Sequence, residues 1–71
     1  MDWNRVVGAN LRRIRQDRGL TQEDLAGDAG LAMRHVGRIE RGQSSPSVTI
    51  LARLAEALAV TPDMFFTQAK D

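Results

Sequence analysis

Apolar residues recur along this chain at the spacing of α-helices, and nowhere at the alternation of a strand. Trp3, Val7, Leu11 and Ile14 are separated by four, four and three positions. They therefore share one stripe of a helix predicted over about Asn4 to Asp17. Gly19 stops that helix, and Leu20 falls where the hydrophobic contact of a C-terminal cap is expected. Thr21-Gln22-Glu23-Asp24 has the form of a capping box with Asp in place of Glu, with both acids where the helix dipole favours them. It opens a second helix whose short apolar face is Leu25, Ala26 and Ala29, and Gly30 supplies the following turn. A third helix is predicted over about Ala32 to Glu40, with Ala32, Val36 and Ile39 inward, ending near Arg41-Gly42. Gln43-Ser44-Ser45-Pro46 reads as a loop. Ser47 is the N-cap of a fourth helix, where Val48, Leu51, Leu54, Ala55 and Leu58 build the largest apolar stripe of the chain. Thr61-Pro62 places a cap before a proline at the first helical position and starts a short fifth helix through Phe65. The prediction is an all-α fold of five short helices in one domain over residues 1–71.

Composition narrows the chemistry. A chain of 71 residues carries one small core with a thin stability margin. There is no cysteine, so no disulfide, and one histidine without cysteine argues against a structural zinc site. The first residues are polar and unlike a signal peptide, and no apolar run approaches bilayer length. A soluble, cytoplasmic protein with no membrane association is expected. The net charge of +1 says little, but its distribution says more. Residues 1–20 hold five arginines against Asp2 and Asp17, whereas residues 21–31 hold only Glu23, Asp24 and Asp28. Residues 32–45 hold Arg34, Arg38 and Arg41 against Glu40. Nine of the ten basic residues are arginine, which suits bidentate contacts to phosphate and guanine. An arginine-rich solvated surface would look the same by charge alone.

The second and third helices, short and joined at Gly30, have the spacing of a helix-turn-helix over about residues 21–41. At roughly 100° per residue, Met33, Arg34, Gly37, Arg38 and Arg41 fall on the side of the third helix opposite Val36 and Ile39. A face of arginines with a methionine and a glycine fits a helix entering the major groove. Arginine pairs with guanine O6 and N7, and an apolar side chain meets the thymine methyl. An amphipathic helix with arginines for solubility is the plainer alternative.

Several separate segments then resemble one family in order and spacing. Leu20-Thr21-Gln22-Glu23-Asp24-Leu25-Ala26, Ala29-Gly30-Leu31 and Val36-Gly37-Arg38-Ile39-Glu40-Arg41-Gly42 look like the Cro/cI-type (XRE) helix-turn-helix pattern. Pro46-Ser47, the run Leu51 to Leu58 and Val60 match its later part, so the resemblance covers about residues 7 to 66. It implies a repressor-like fold with the third helix as recognition helix. By position it implies base contacts at Ala32, Met33, Arg34, Gly37 and Arg38. Contacts to the DNA backbone are implied at Gln22, Arg12, His35, Arg41, Ser44 and Ser45. It also implies an internal salt bridge between Arg15 and Glu40. Ala32 stands where the family usually has Ser or Thr and cannot cap the helix with its side chain. Gly37 replaces a more usual Ser or larger polar residue. Both departures leave the base preference open. Within the family, a short chain without a sensor domain resembles restriction–modification controller proteins, small phage repressors and small antitoxins.

The remaining residues divide between structural and functional roles. His35 could add charge beside phosphate or simply pack. Trp3, given its spacing to Val7, is expected to close the core rather than to form an interface. Met64, Phe65 and Phe66 are more apolar surface than a short terminal helix can bury, and exposed apolar patches mark interaction sites. A twofold interface of the fifth helix and the end of the fourth, using some of Ala57, Phe65 and Phe66, is therefore expected. No nucleophile is paired with a base and there is no glycine-rich phosphate loop, so neither an enzyme nor a cofactor is expected. The expected partners are double-stranded DNA and a second copy, without a small-molecule effector. An interaction module with the same fold and no specific DNA site is the competing reading.

Overall fold

Asp2 starts the fold: its carboxylate accepts from the backbone N–H groups of Asn4 and Arg5 and caps α1, Trp3–Asp17. The computed structural model describes residues 1–68. Gly19, at φ 71°, ends α1; its N–H donates to Gln16 O and that of Leu20 to Arg15 O. Helix α2, Gln22–Ala29, opens with the complete capping box. The Thr21 hydroxyl accepts from Asp24 N and the Asp24 carboxylate accepts from Thr21 N, each at 3.0 Å. Hydrogen bonding to the carboxylate, first from the Thr21 backbone N–H and then from its hydroxyl, holds the Asp24 carboxyl below its usual pKa. Gly30, at φ 70°, makes the turn into α3, Met33–Glu40, which lacks a side-chain cap because Ala32 occupies that position. Ser47 caps α4, Val48–Leu58, by accepting from Ile50 N.

The last element is not a fifth α-helix. Pro62–Phe66 is one 3-10 turn of five residues, and Thr61 makes no capping side-chain bond. The segment is too short to develop α-helical pairing, and 3-10 geometry is the usual outcome for such pieces. Among the described residues there are four α-helices, this turn and no strand.

Helix α1 packs on α3 and the 3-10 turn, and α2 packs on α3 and α4. The shared core holds Leu11, Leu25, Val36, Ile39, Leu54, Leu58 and Phe65, all essentially without exposure. Three predicted core positions lie outside it. Trp3 is 48% exposed, because the apolar stripe of α1 reaches the core only from Val7, and its ring leans on Phe66 with centroids 6.2 Å apart. Val48, the first residue of α4, is exposed and projects past the core. Ala32, expected inward, is exposed at the cap of α3.

Two buried polar groups tie these elements together. Asn10 lies on the core side of α1, and its Nδ2 donates to Phe65 O and Thr67 O, both at 2.7 Å. Its Oδ1 accepts from Arg13. This amide anchors the chain after α4 to α1. Arg15 is gripped by Glu40 through two bonds, Nε to Oε2 at 2.6 Å and Nη2 to Oε1 at 3.0 Å. Its Nη1 donates to Leu20 O. The hydrogen bonds to Glu40 hold the guanidinium pKa above its usual value, against the opposing effect of burial.

Candidate nucleic-acid interface

Helix α3 is held at fixed depth from both sides. On one side Gly8 of α1 runs against its C-terminal carbonyls: a Cβ at Gly8 would lie 2.7 Å from Glu40 O and closer to Ile39 O. On the other side Gln22, the first residue of α2, donates from Nε2 to Glu40 Oε1 at 3.0 Å. Glu40 thus receives Arg15 from α1 and Gln22 from α2, and joins three helices at one carboxylate. Val36 and Ile39 anchor the inner side of α3.

The outer side of α3 carries exposed Met33, Arg34 and Arg38. Met33 is 52% exposed, which has a cost in water and suits a surface that becomes covered. Neither Arg34 nor Arg38 is in an ion pair among the described residues. Ala32 is exposed at the leading end of the helix and His35 is half-buried.

Gly37 lies on that outer side as expected but is covered rather than exposed. It is buried, because the Arg41 side chain lies over it: Arg41 Nη1 stands 3.0 Å from where a Cβ would be, with Gln22 Oε1 at 3.5 Å. Gly37 brings no side chain of its own to that surface. Gln22, Gly37 and Arg41 are therefore brought together, while Arg41 Nε donates to Gln43 Oε1 at 3.1 Å.

The loop between α3 and α4 is fastened to α1. Ser45 Oγ donates to Asn4 Oδ1 at 3.0 Å, and Gly42 packs against the Cα and Cγ of Arg5. Ser44 is half-buried, and Arg12 is exposed on α1.

These features follow the order capped helix, left-handed glycine, second helix with an exposed basic side. The helix-turn-helix family (HTH_3) matches residues 11–65, more than half of the chain. The chain belongs to this family. It is 39% identical over 61 residues to an HTH-type transcriptional regulator, y4dJ, of Sinorhizobium fredii, covering 86% of this chain and 79% of that one. It is 31% identical over 68 residues to the control protein C.SmaI of Serratia marcescens, covering 96% of this chain and 81% of that one. Among solved structures it is similar to the restriction-modification controller protein C.AhdI of Aeromonas hydrophila. The TM-score is 0.87 and the identity 40%, with 89% of this chain and 96% of the other covered. Several other relatives are longer, and the chain spans 40% or less of those.

Within this helix-turn-helix chain, the apolar surface expected for self-association divides differently from its prediction. Phe65 is wholly buried in the core and presents no surface to a partner, because the Asn10 bond to its carbonyl draws the 3-10 turn against α1. Phe66 is 43% exposed beside Trp3, and Met64 is also exposed. Ala57 is half-buried and lines a separate shallow groove with Gly27, Gly30, Arg53 and Glu56. Among the described residues no helix is long and apolar enough to cross a membrane, and no cluster of three metal-ligating side chains forms.

Sequence reasoning missed Gly8, Asn10 and the bond from Gln22 to Glu40. A glycine in mid-helix was the available signal for the first. An asparagine one position before Leu11 on the apolar stripe was the signal for the second. Nothing local distinguishes a glutamine that bonds within the protein from one that faces a phosphate.

Proposed function

We propose that this chain is a sequence-specific, double-stranded-DNA-binding transcription regulator that works in the cytoplasm as a homodimer on a near-palindromic operator. The observation that carries this reading is the outer side of α3, where Met33, Arg34 and Arg38 are exposed and the two arginines lack an ionic partner. The inner side of the same helix is fixed by Val36, Ile39 and Glu40. A rigid helix with unsatisfied guanidinium forks on one side is suited to the major groove. There Arg34 and Arg38 pair with guanine edges and Met33 meets a thymine methyl.

Contacts to the phosphates set the register. Gln22 keeps a second Nε2 hydrogen beyond the one given to Glu40, and it lies at the positive end of α2. Arg12, His35, Ser44 and Ser45 complete this set. Two copies associate through an apolar surface centred on Phe66, with Trp3 and Met64 beside it, which places the recognition helices about 34 Å apart, one turn of DNA. The likeness to C.AhdI and to C.SmaI favours a controller role beside a methyltransferase and an endonuclease, and the neighbouring genes decide it.

Binding of duplexes to the Arg38→Ala chain, measured by fluorescence anisotropy at fixed salt, tests the reading. Loss of about 1–3 kcal/mol on the preferred site, with relaxed preference at one base pair, is expected. Equal weakening on all sequences would make Arg38 a phosphate contact.

A further inference from the structure

We infer that Arg41 is a base-reading residue of this interface, delivered through the gap that Gly37 leaves in the outer side of α3. The inference rests on the DNA-binding reading above and adds to it a specificity determinant. Met33, Gly37 and Arg41 are spaced by four, so they form one column along the helix. Long helical side chains lean toward the N-terminus, over the residue four positions earlier. Arg41 does so here: its Nη1 lies 3.0 Å from the place of a Gly37 Cβ. Any other residue at 37 would occupy that space and push the guanidinium outward. The glycine, which costs about 1 kcal/mol in a helix relative to alanine, exchanges its own side chain for the end of another.

The guanidinium is also oriented. Its Nε is engaged with Gln43 Oε1 at 3.1 Å, which leaves the two terminal nitrogens as the free edge. Two parallel N–H donors are the group that pairs with O6 and N7 of guanine. The position is within the helix surface between Met33 and Arg38 in the helical order, not beyond the helix end where Arg41 has its Cα. Its placement there favours a base edge over the phosphate contact expected from its sequence position alone.

In vitro selection run in parallel on the natural chain and on Arg41→Ala, Arg41→Lys and Gly37→Ala tests this. Each chain is first checked for folding by thermal unfolding, and dissociation constants are then measured across salt on the site the natural chain selects. Arg41→Ala is expected to flatten one base position and to weaken the preferred site roughly 5- to 150-fold, with little loss on scrambled duplex. Arg41→Lys should flatten the same position, since a lysine keeps the charge without the fork. Gly37→Ala should erode that position too, and the double variant should lose no more than Arg41→Ala alone. If Arg41→Ala weakens all duplexes equally and lowers the salt slope by about one, Arg41 is a phosphate contact and the inference is wrong. Additive losses in the double variant would equally overturn it. If the natural chain enriches no sequence, the DNA-binding reading itself fails and this inference falls with it. An enriched site that Arg41→Ala leaves unchanged removes this inference alone.

Discussion

Gly8 of α1 lies directly beneath the last carbonyls of α3, so that a Cβ on it would stand 2.7 Å from Glu40 O. Backbone, not a flexible side chain, blocks the way, so α1 and α3 must part to admit even a methyl group. Gly8→Ala is expected to destabilise the fold by about 1–3 kcal/mol despite alanine's better helix propensity. Gly27→Ala, where nothing lies within 4 Å of the new methyl group, should stabilise it by up to about 1 kcal/mol. Urea denaturation of both variants checks the pair, and equal signs would refute the close approach.

The Arg15–Glu40 pair predicts a context-dependent cost. Glu40→Ala leaves a nearly buried guanidinium and the Gln22 amide without their acceptor and should cost about 3–5 kcal/mol. Replacing both charges by apolar residues of similar volume should cost far less. The exposed Arg13–Asp17 pair, at 4.0 Å, should show coupling below about 1 kcal/mol in the same double-mutant cycle.

The capping box gives a dependence on acid. The Asp24 pKa is lowered in the folded chain by the bonds from the Thr21 backbone and hydroxyl. Its contribution is therefore complete above the unfolded carboxyl value of about 4 and is lost as pH falls through the lower folded value. Asp24→Asn should reduce stability at neutral pH and show a shallower decline in acid. Parallel pH titrations of thermal unfolding read both effects, and parallel curves for the two chains would contradict this assignment.

Neighbouring phenylalanines should fail in different ways. Phe65→Ala opens a cavity in the core and should cost about 3–5 kcal/mol, enough to unfold much of so small a domain. Phe66→Ala should leave the monomer folded and weaken self-association, as should Trp3→Ala beside it. Sedimentation together with circular dichroism separates the outcomes; a natural chain that stays monomeric well above micromolar concentration would remove the interface.

The sequence made legible whatever a local rule controls. The Thr21 and Ser47 caps, the glycine stops at 19 and 30 and the inward Val36 and Ile39 all follow from neighbours within about four residues. So does the exposure of Met33, Arg34 and Arg38. What was not legible depends on distant backbone. Trp3 has the right spacing for a core residue but lies beyond the end of the core, and Phe65 is inside because Asn10, 55 residues away, holds its carbonyl. Gly37 lies on the predicted side of the helix, yet Arg41 covers it, which a helical wheel without side-chain lengths does not display.

Selection from random duplexes at near-physiological salt tests the central claim most directly, since protein–DNA affinity has meaning only at a stated salt concentration. A regulator of the proposed kind enriches an inverted repeat whose half-sites are centred about 10 base pairs apart. Recovery of unenriched sequence, with only weak binding abolished by salt, would contradict it and leave the arginines of α3 as a nonspecific basic surface.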